Sequence, residues 1–224
     1  MSAEVANSPS KQSLTLGLLD KALVLQAPLT EHHVARLRRN RPEDTPREIV
    51  GRLNAELRAA TILSGVAVGA AAAAPAVGTG VALALSGAEA AGFLNATVLY
   101  ILARGEVQGI TIADVERRRT LVMAVMLGDA GAKGVGKVAE RTGQHWARQL
   151  VRGIPMSKIL AVNNVLGPNF VTKYGTKQGI LVLGKVIPFG IGVVIGGTAN
   201  AIFSQGVITA SKRAFGAPSQ SWEN

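Results

Sequence analysis

From Ala59 to Ala88 the chain runs for thirty residues without one charged side chain. A stretch that long and that apolar has to be covered, either by protein or by lipid. Pro75 and the Gly78-Thr79-Gly80 triplet interrupt it. Proline removes a backbone donor, and glycine favours turns, so together they break a helix. The pattern predicts two helices, over 59–74 and 81–103, joined by a tight turn at 75–80. At 1.5 Å per residue these reach about 24 Å and about 34 Å. The hydrocarbon core of a bilayer is about 30 Å thick. The first helix is short for a span, and the second carries Glu89 and Asn95, both costly at mid-bilayer. Glu89 is the one acid in this region, and a buried acid needs a partner or a polar face. A hairpin that is buried or partly inserted is the expectation.

Small residues dominate the hairpin. Gly65 and Gly69 form a GxxxG followed by an alanine run, and Gly80 follows the break. Such faces allow close backbone approach, in a membrane or in a soluble Ala-rich pair. A second charge-free run covers the twenty-six residues from Val186 to Ser211. Pro188 lies near its start, Gly192 and Gly196 make another GxxxG, and Lys212-Arg213 close it with positive charge. Basic ends on an apolar helix match the cytoplasmic-side bias of membrane proteins.

Charge follows the same division. The net charge is +10, from 24 basic and 14 acidic residues. The basic residues flank the apolar runs and do not interrupt them. Basic plus hydrophobic points to an anionic membrane surface ahead of nucleic acid. Arg36, Arg38 and Arg39 form one cluster and Arg117, Arg118 and Arg119 another. With Lys212 and Arg213 they are the candidate contacts for anionic lipid headgroups, each worth about 1 kcal/mol near a charged surface. Solvated helix faces are the plainer reading of both clusters. No secretory signal and no lipidation motif is visible, so the expected place is the cytoplasmic face of the membrane, peripheral or partly inserted.

Several chemistries are excluded by residue type. There is no cysteine, which removes disulfides, thiolate catalysis and cysteine zinc sites. Three histidines without an HExxH or a neighbouring carboxylate cluster offer no metal site, and no cofactor site is expected. Gly131 to Lys137 fits GxxxxGK, but Val138 stands where a phosphate-binding loop needs the Ser/Thr for magnesium. No GxSxG and no convincing acid/base pair of carboxylates occurs, so no catalytic residue is assigned and the chain reads as a non-enzyme.

Strand signals are weak; Ile180–Leu183 is too short to decide. The fold expected is all-α, a helical bundle with Ala/Gly-rich hydrophobic hairpins. Residues 1–44 read as a polar, partly disordered region with short helices, one ending before Pro28 and one over 30–41. Residues 45–216 read as a single helical domain and 217–224 as an irregular tail. Thr45, Pro46 and Glu48 make a capping box with proline at the first helical position. Thr111 with Asp114 marks another helix start. Residues 128–136 read as a glycine-rich break, followed by a helix over 138–152 with Trp146 and Leu150 on one side. Leu121–Leu127 would be buried, and Trp222 could sit at a membrane interface.

The C-terminal third resembles the EcsC family of bacterial proteins. The residues that carry the likeness are Gly184-Lys185-Val186-Ile187-Pro188-Phe189-Gly190-Ile191-Gly192, the run on to Gly197, then Asn200, and Phe215-Gly216 after a helix. The hairpin at 59–103 is similar in character. The resemblance implies a membrane-associated protein without established catalytic residues; the family name comes from an operon that also encodes an ABC transporter. Together these readings lead to a non-enzymatic scaffold or adaptor at the cytoplasmic membrane face. Its expected partners are anionic lipids, with a membrane protein or a second copy as further candidates. The alternative is a pore-forming or membrane-perturbing protein whose hairpins insert after a soluble stage.

Overall fold

The computed structural model describes residues 9–73, 79–139, 145–175 and 191–222, with side chains over 15–63, 91–137, 145–151, 153–174 and 201–222. The fold is all-α. Among the described residues there are eight α-helices: α1 (Pro9–Asn40), α2 (Pro46–Ala73), α3 (Thr79–Val107), α4 (Val115–Leu127), α5 (Asp129–Ala139), α6 (Trp146–Arg152), α7 (Met156–Phe170) and α8 (Ile191–Phe215). A π-helical turn, Val171–Gly175, extends α7.

Helix α1 is one helix of 32 residues, where two short ones were expected, and it takes up most of the N-terminal region read as partly disordered. Pro28 lies inside it. The reason is tertiary. Leu19, Ala22, Leu23, Thr30 and Val34 are buried at an unbroken helical spacing that crosses the proline, so packing outweighs the lost backbone bond. The Thr30 hydroxyl donates to the Gln26 carbonyl at 2.7 Å, beside the proline.

Helix α2 starts where its capping box places it. The Thr45 backbone N–H donates to Glu48 Oε2 at 2.7 Å, and the Glu48 N–H donates to Thr45 Oγ1 at 3.3 Å. Asp114 caps α4, accepting from the Arg117 N–H at 2.9 Å. Thr111 is not the cap; its hydroxyl donates to Glu106 Oε2 at 2.7 Å. Every residue from Thr120 to Leu127 is buried, so α4 is the central helix of its half of the core.

The glycine-rich stretch after α4 is helix α5, not a break. Gly131 lets α5 turn back against α4: a Cβ there would run into the Ala124 backbone. The helix expected over 138–152 is the shorter α6, with Trp146 and Leu150 buried as anticipated. Helix α7 was not foreseen. It is pinned to α4 by buried Asn163, whose amide donates to Glu116 Oε2 at 2.8 Å and whose oxygen accepts from Thr120 at 2.6 Å.

Helices α2, α3 and α8 form the long axis, and α1 lies along α3. The directions follow from cross-contacts. Tyr100 Oη donates to Asn54 Oδ1 at 2.8 Å. Arg58 donates to Gln205 Oε1 at 2.9 Å. The rings of Phe93 and Phe203 meet edge-on at 6.2 Å. Thus α2 is antiparallel to both α3 and α8, while α3 and α8 run side by side. Gln26 Nε2 donates to Asn95 Oδ1 at 3.0 Å, and Ala27 and Thr30 line the same cleft as Leu102 and Gly105. Helix α1 therefore runs the same way as α3.

Candidate functional site

Those directions bring the charge-poor halves of three helices to one end. Residues 64–73 continue α2, residues 79–90 begin α3, and residues 191–200 begin α8. In sequence these thirty-two positions carry one charge, Glu89. Each half-helix extends about 15–18 Å at 1.5 Å per residue. Gly65, Gly69, Gly80, Gly192 and Gly196 all stand on these helical segments. Pro75, Gly78 and Pro188 lie outside the described residues, as does the strand considered at 180–183, and the Glu89 side chain lies outside the described side chains.

A rim of exposed apolar side chains marks where this end begins. Leu63 on α2 and Ile202 on α8 are each 68% exposed, and Ile62 is also exposed. Leu18, Val24 and Leu25 of α1 are exposed as well. Arg58, exposed and bonded to Gln205, is the last charge on α2 before the apolar half. Among the described residues no helix is long and apolar enough to cross a membrane.

The arginines singled out in the sequence are elsewhere. Arg117, Arg118 and Arg119 are engaged inside the fold. Arg117 donates to the Leu150 carbonyl, and Arg118 donates to the Ile112 carbonyl at 2.6 Å and to that of Ala113. Arg119 pairs with Asp20 at 2.6 Å and Glu116 at 3.1 Å, tying α4 to α1. Arg36, Arg38 and Arg39 lie near the C-terminus of α1, and Lys212 and Arg213 near that of α8. Both helix ends are opposite the apolar halves. The seventeen helical steps from Pro46 to Leu63 span about 26 Å. Arg213 pairs with Asp129, and Arg36 lies 3.3 Å from His33 Nδ1.

Trp222, considered for a membrane interface, is fastened to its own fold at the end opposite the apolar halves. Its Nε1 donates to the Asp44 carbonyl at 3.0 Å, and the Arg38 guanidinium lies 4.0 Å from the ring centroid. Asp44 is in turn bonded to Arg52, and that hydrogen bond holds its carboxyl below the usual range.

One buried cation was not foreseen. Arg104 on α3 is 1% exposed. It donates to Tyr100 Oη at 3.2 Å and to the Gly216 carbonyl at 3.1 Å. No carboxylate pairs with it among the described residues, and its Nε has no partner there. Burial pushes the Tyr100 phenol up, against the pull of Arg104. A single Arg in an apolar run was the available signal. The apolar run ends at Ala103, so the spacing that predicts α3 stops one residue short of it.

Residues 131–137 sit within α5, with Gly131 and Gly134 spent on helix packing against Ala124 and Leu166. That segment forms no loop to cradle a phosphate. Among the described residues no three His, Asp or Glu side chains gather as metal ligands. No family model, curated protein or solved structure matches the chain. The likeness to the EcsC family rests on its quoted residues alone.

Proposed function

We propose that the chain is a non-enzymatic, membrane-associated protein that docks on the cytoplasmic face through the apolar end of α2, α3 and α8 and acts there as a scaffold or adaptor. One observation carries the reading: three half-helices with a single acid among them converge on one end, rimmed by exposed Ile62, Leu63 and Ile202. Water is a poor solvent for exposed apolar side chains such as those of the rim, and transfer of apolar area is worth about 25 cal/mol per Å². About 15–18 Å of each helix enters a hydrocarbon layer about 30 Å thick, so the end inserts part-way and does not span. Arg58 at the rim supplies attraction for anionic headgroups.

The basic clusters at the far end are not needed for this docking. Association then rests on apolar contact and responds weakly to salt. The test is co-sedimentation with anionic vesicles at low and high salt, comparing the natural chain with Leu63→Asp and Ile202→Asp. Both side chains are exposed, so the variants keep their fold. Binding that survives high salt and falls at least tenfold in the variants supports the proposal. Unchanged binding by both variants refutes it. Dye leakage in the same vesicles would favour the pore-forming alternative.

A further inference from the structure

At the end opposite the apolar halves, Ala35, Arg38, Arg39, Arg41, Pro42 and Trp222 line an open cleft of about 390 Å³. We propose that this cleft binds a phosphate-bearing anion, through Arg39 and Arg41 with Arg38 as a fixed third cation. The proposal is independent of membrane docking.

Three features support it. First, the guanidinium groups are open to a ligand. Among the described residues none of the three arginines forms an ion pair, and no side-chain hydrogen bond occupies Arg39 or Arg41. The nearby Asp44 is ion-paired with Arg52 and feels Arg41 only through space. Three guanidinium groups around one cleft repel each other, and an anion between them relieves that cost. Second, the wall is built. Trp222 is held by its bond to the Asp44 carbonyl, and Arg38 is laid over its ring. The Arg38 position is thereby fixed before any ligand arrives, which lowers the cost of binding. Third, the chemistry fits. Guanidinium forks match phosphate oxygens in paired hydrogen bonds, which favours phosphate over a monovalent ion.

The α1 C-terminus accounts for some of this charge, since cations are favoured at the negative end of a helix. It does not account for Arg41, which lies beyond the helix, or for the tryptophan wall. A phosphate group alone leaves much of 390 Å³ empty. The ligand is therefore a phosphate ester or diphosphate whose remainder rests against Pro42 and Trp222. A soluble phosphate compound and a phosphatidic acid headgroup share this chemistry.

Fluorotryptophan NMR of the full chain reads the cleft directly, because the protein has two tryptophans. Trp222→Phe assigns the signals. Pyrophosphate is the soluble probe, with sodium chloride at equal ionic strength as control. The expected result is a saturable shift of the Trp222 signal, with Trp146 unmoved and affinity at least tenfold weaker in the Arg39→Gln/Arg41→Gln double variant. Both side chains are exposed, so the variant keeps the fold. Vesicles with and without phosphatidic acid form the second arm. A gain in binding that needs phosphatidic acid and is lost in the double variant supports the cleft with lipid as the source. Vesicle binding that is equal in the double variant belongs to the apolar end and overturns lipid as the source of the phosphate. The proposal is overturned if neither probe gives an arginine-dependent response, or if sodium chloride alone reproduces the shift.

Discussion

Arg104 donates to the carbonyl of Gly216, 112 positions later in the chain, at 3.1 Å. This bond ties the end of α8 to α3. Gly216 makes the turn at φ +83°, where the ring of His145 packs so closely that no Cβ fits. Truncating Arg104→Ala would strand the Gly216 carbonyl, remove one of the two hydrogen bonds of Tyr100 Oη (that to Asn54 remains) and leave a cavity, at a cost of about 3–5 kcal/mol. Arg104→Met fills the space and removes a desolvated charge, so it should cost less than half as much. Chemical denaturation of the two variants checks the order. Equal losses would show that the charge itself, not its packing, holds the segment.

The corner between α4 and α5 makes a sharper prediction. Gly131→Ala drives a methyl group into the Ala124 backbone and should cost about 3 kcal/mol or more. Gly51→Ala is the control. That glycine is exposed on α2 with nothing within 4 Å of a Cβ, so alanine should stabilise by about 0.5–1 kcal/mol. Thermal melts of both variants decide the matter.

Acid should loosen the start of α2. The Glu48 carboxyl is held low by the hydrogen bonds from the Thr45 N–H and hydroxyl, and that of Asp44 by Arg52. Groups depressed in the folded state stabilise it above their unfolded values, 4.5 and 3.8 here. That contribution disappears as pH falls through the lower folded values. Melting temperature should therefore drop below about pH 4, and the drop should be shallower in Glu48→Gln. An identical acid limb in that variant would remove the capping box from the explanation.

The capping box at Thr45–Glu48 and the buried run 121–127 were legible because each has a local cause, a hydrogen-bond motif or a continuous apolar segment. Helix α1 was misread because Pro28 is a strong local signal and its burial pattern is only visible once α3 is in place. The stretch 128–136 was misread for a similar reason. Its glycines look like turn residues, yet Gly131 and Gly134 are small because neighbours press on them. Helix α7 carried a readable period in Ile159, Val162, Leu166 and Phe170, after Pro155.

The candidate site was half legible. Hydropathy located the apolar segments, and helix direction, which sequence does not encode locally, shows that three of them share an end. The arginine clusters illustrate the same limit. Arg117–Arg119 and Arg38–Arg41 look alike in sequence, but the first bonds to carbonyls and carboxylates of its own fold while the second lines an open cleft.

Membrane fractionation of cells expressing the full chain tests the central claim most directly. Pellets are washed with high salt, then alkaline carbonate, then detergent. Docking through the apolar end predicts a protein that stays in the pellet through high salt and leaves only with carbonate or detergent. A protein found in the first supernatant, or released by salt alone, would contradict it.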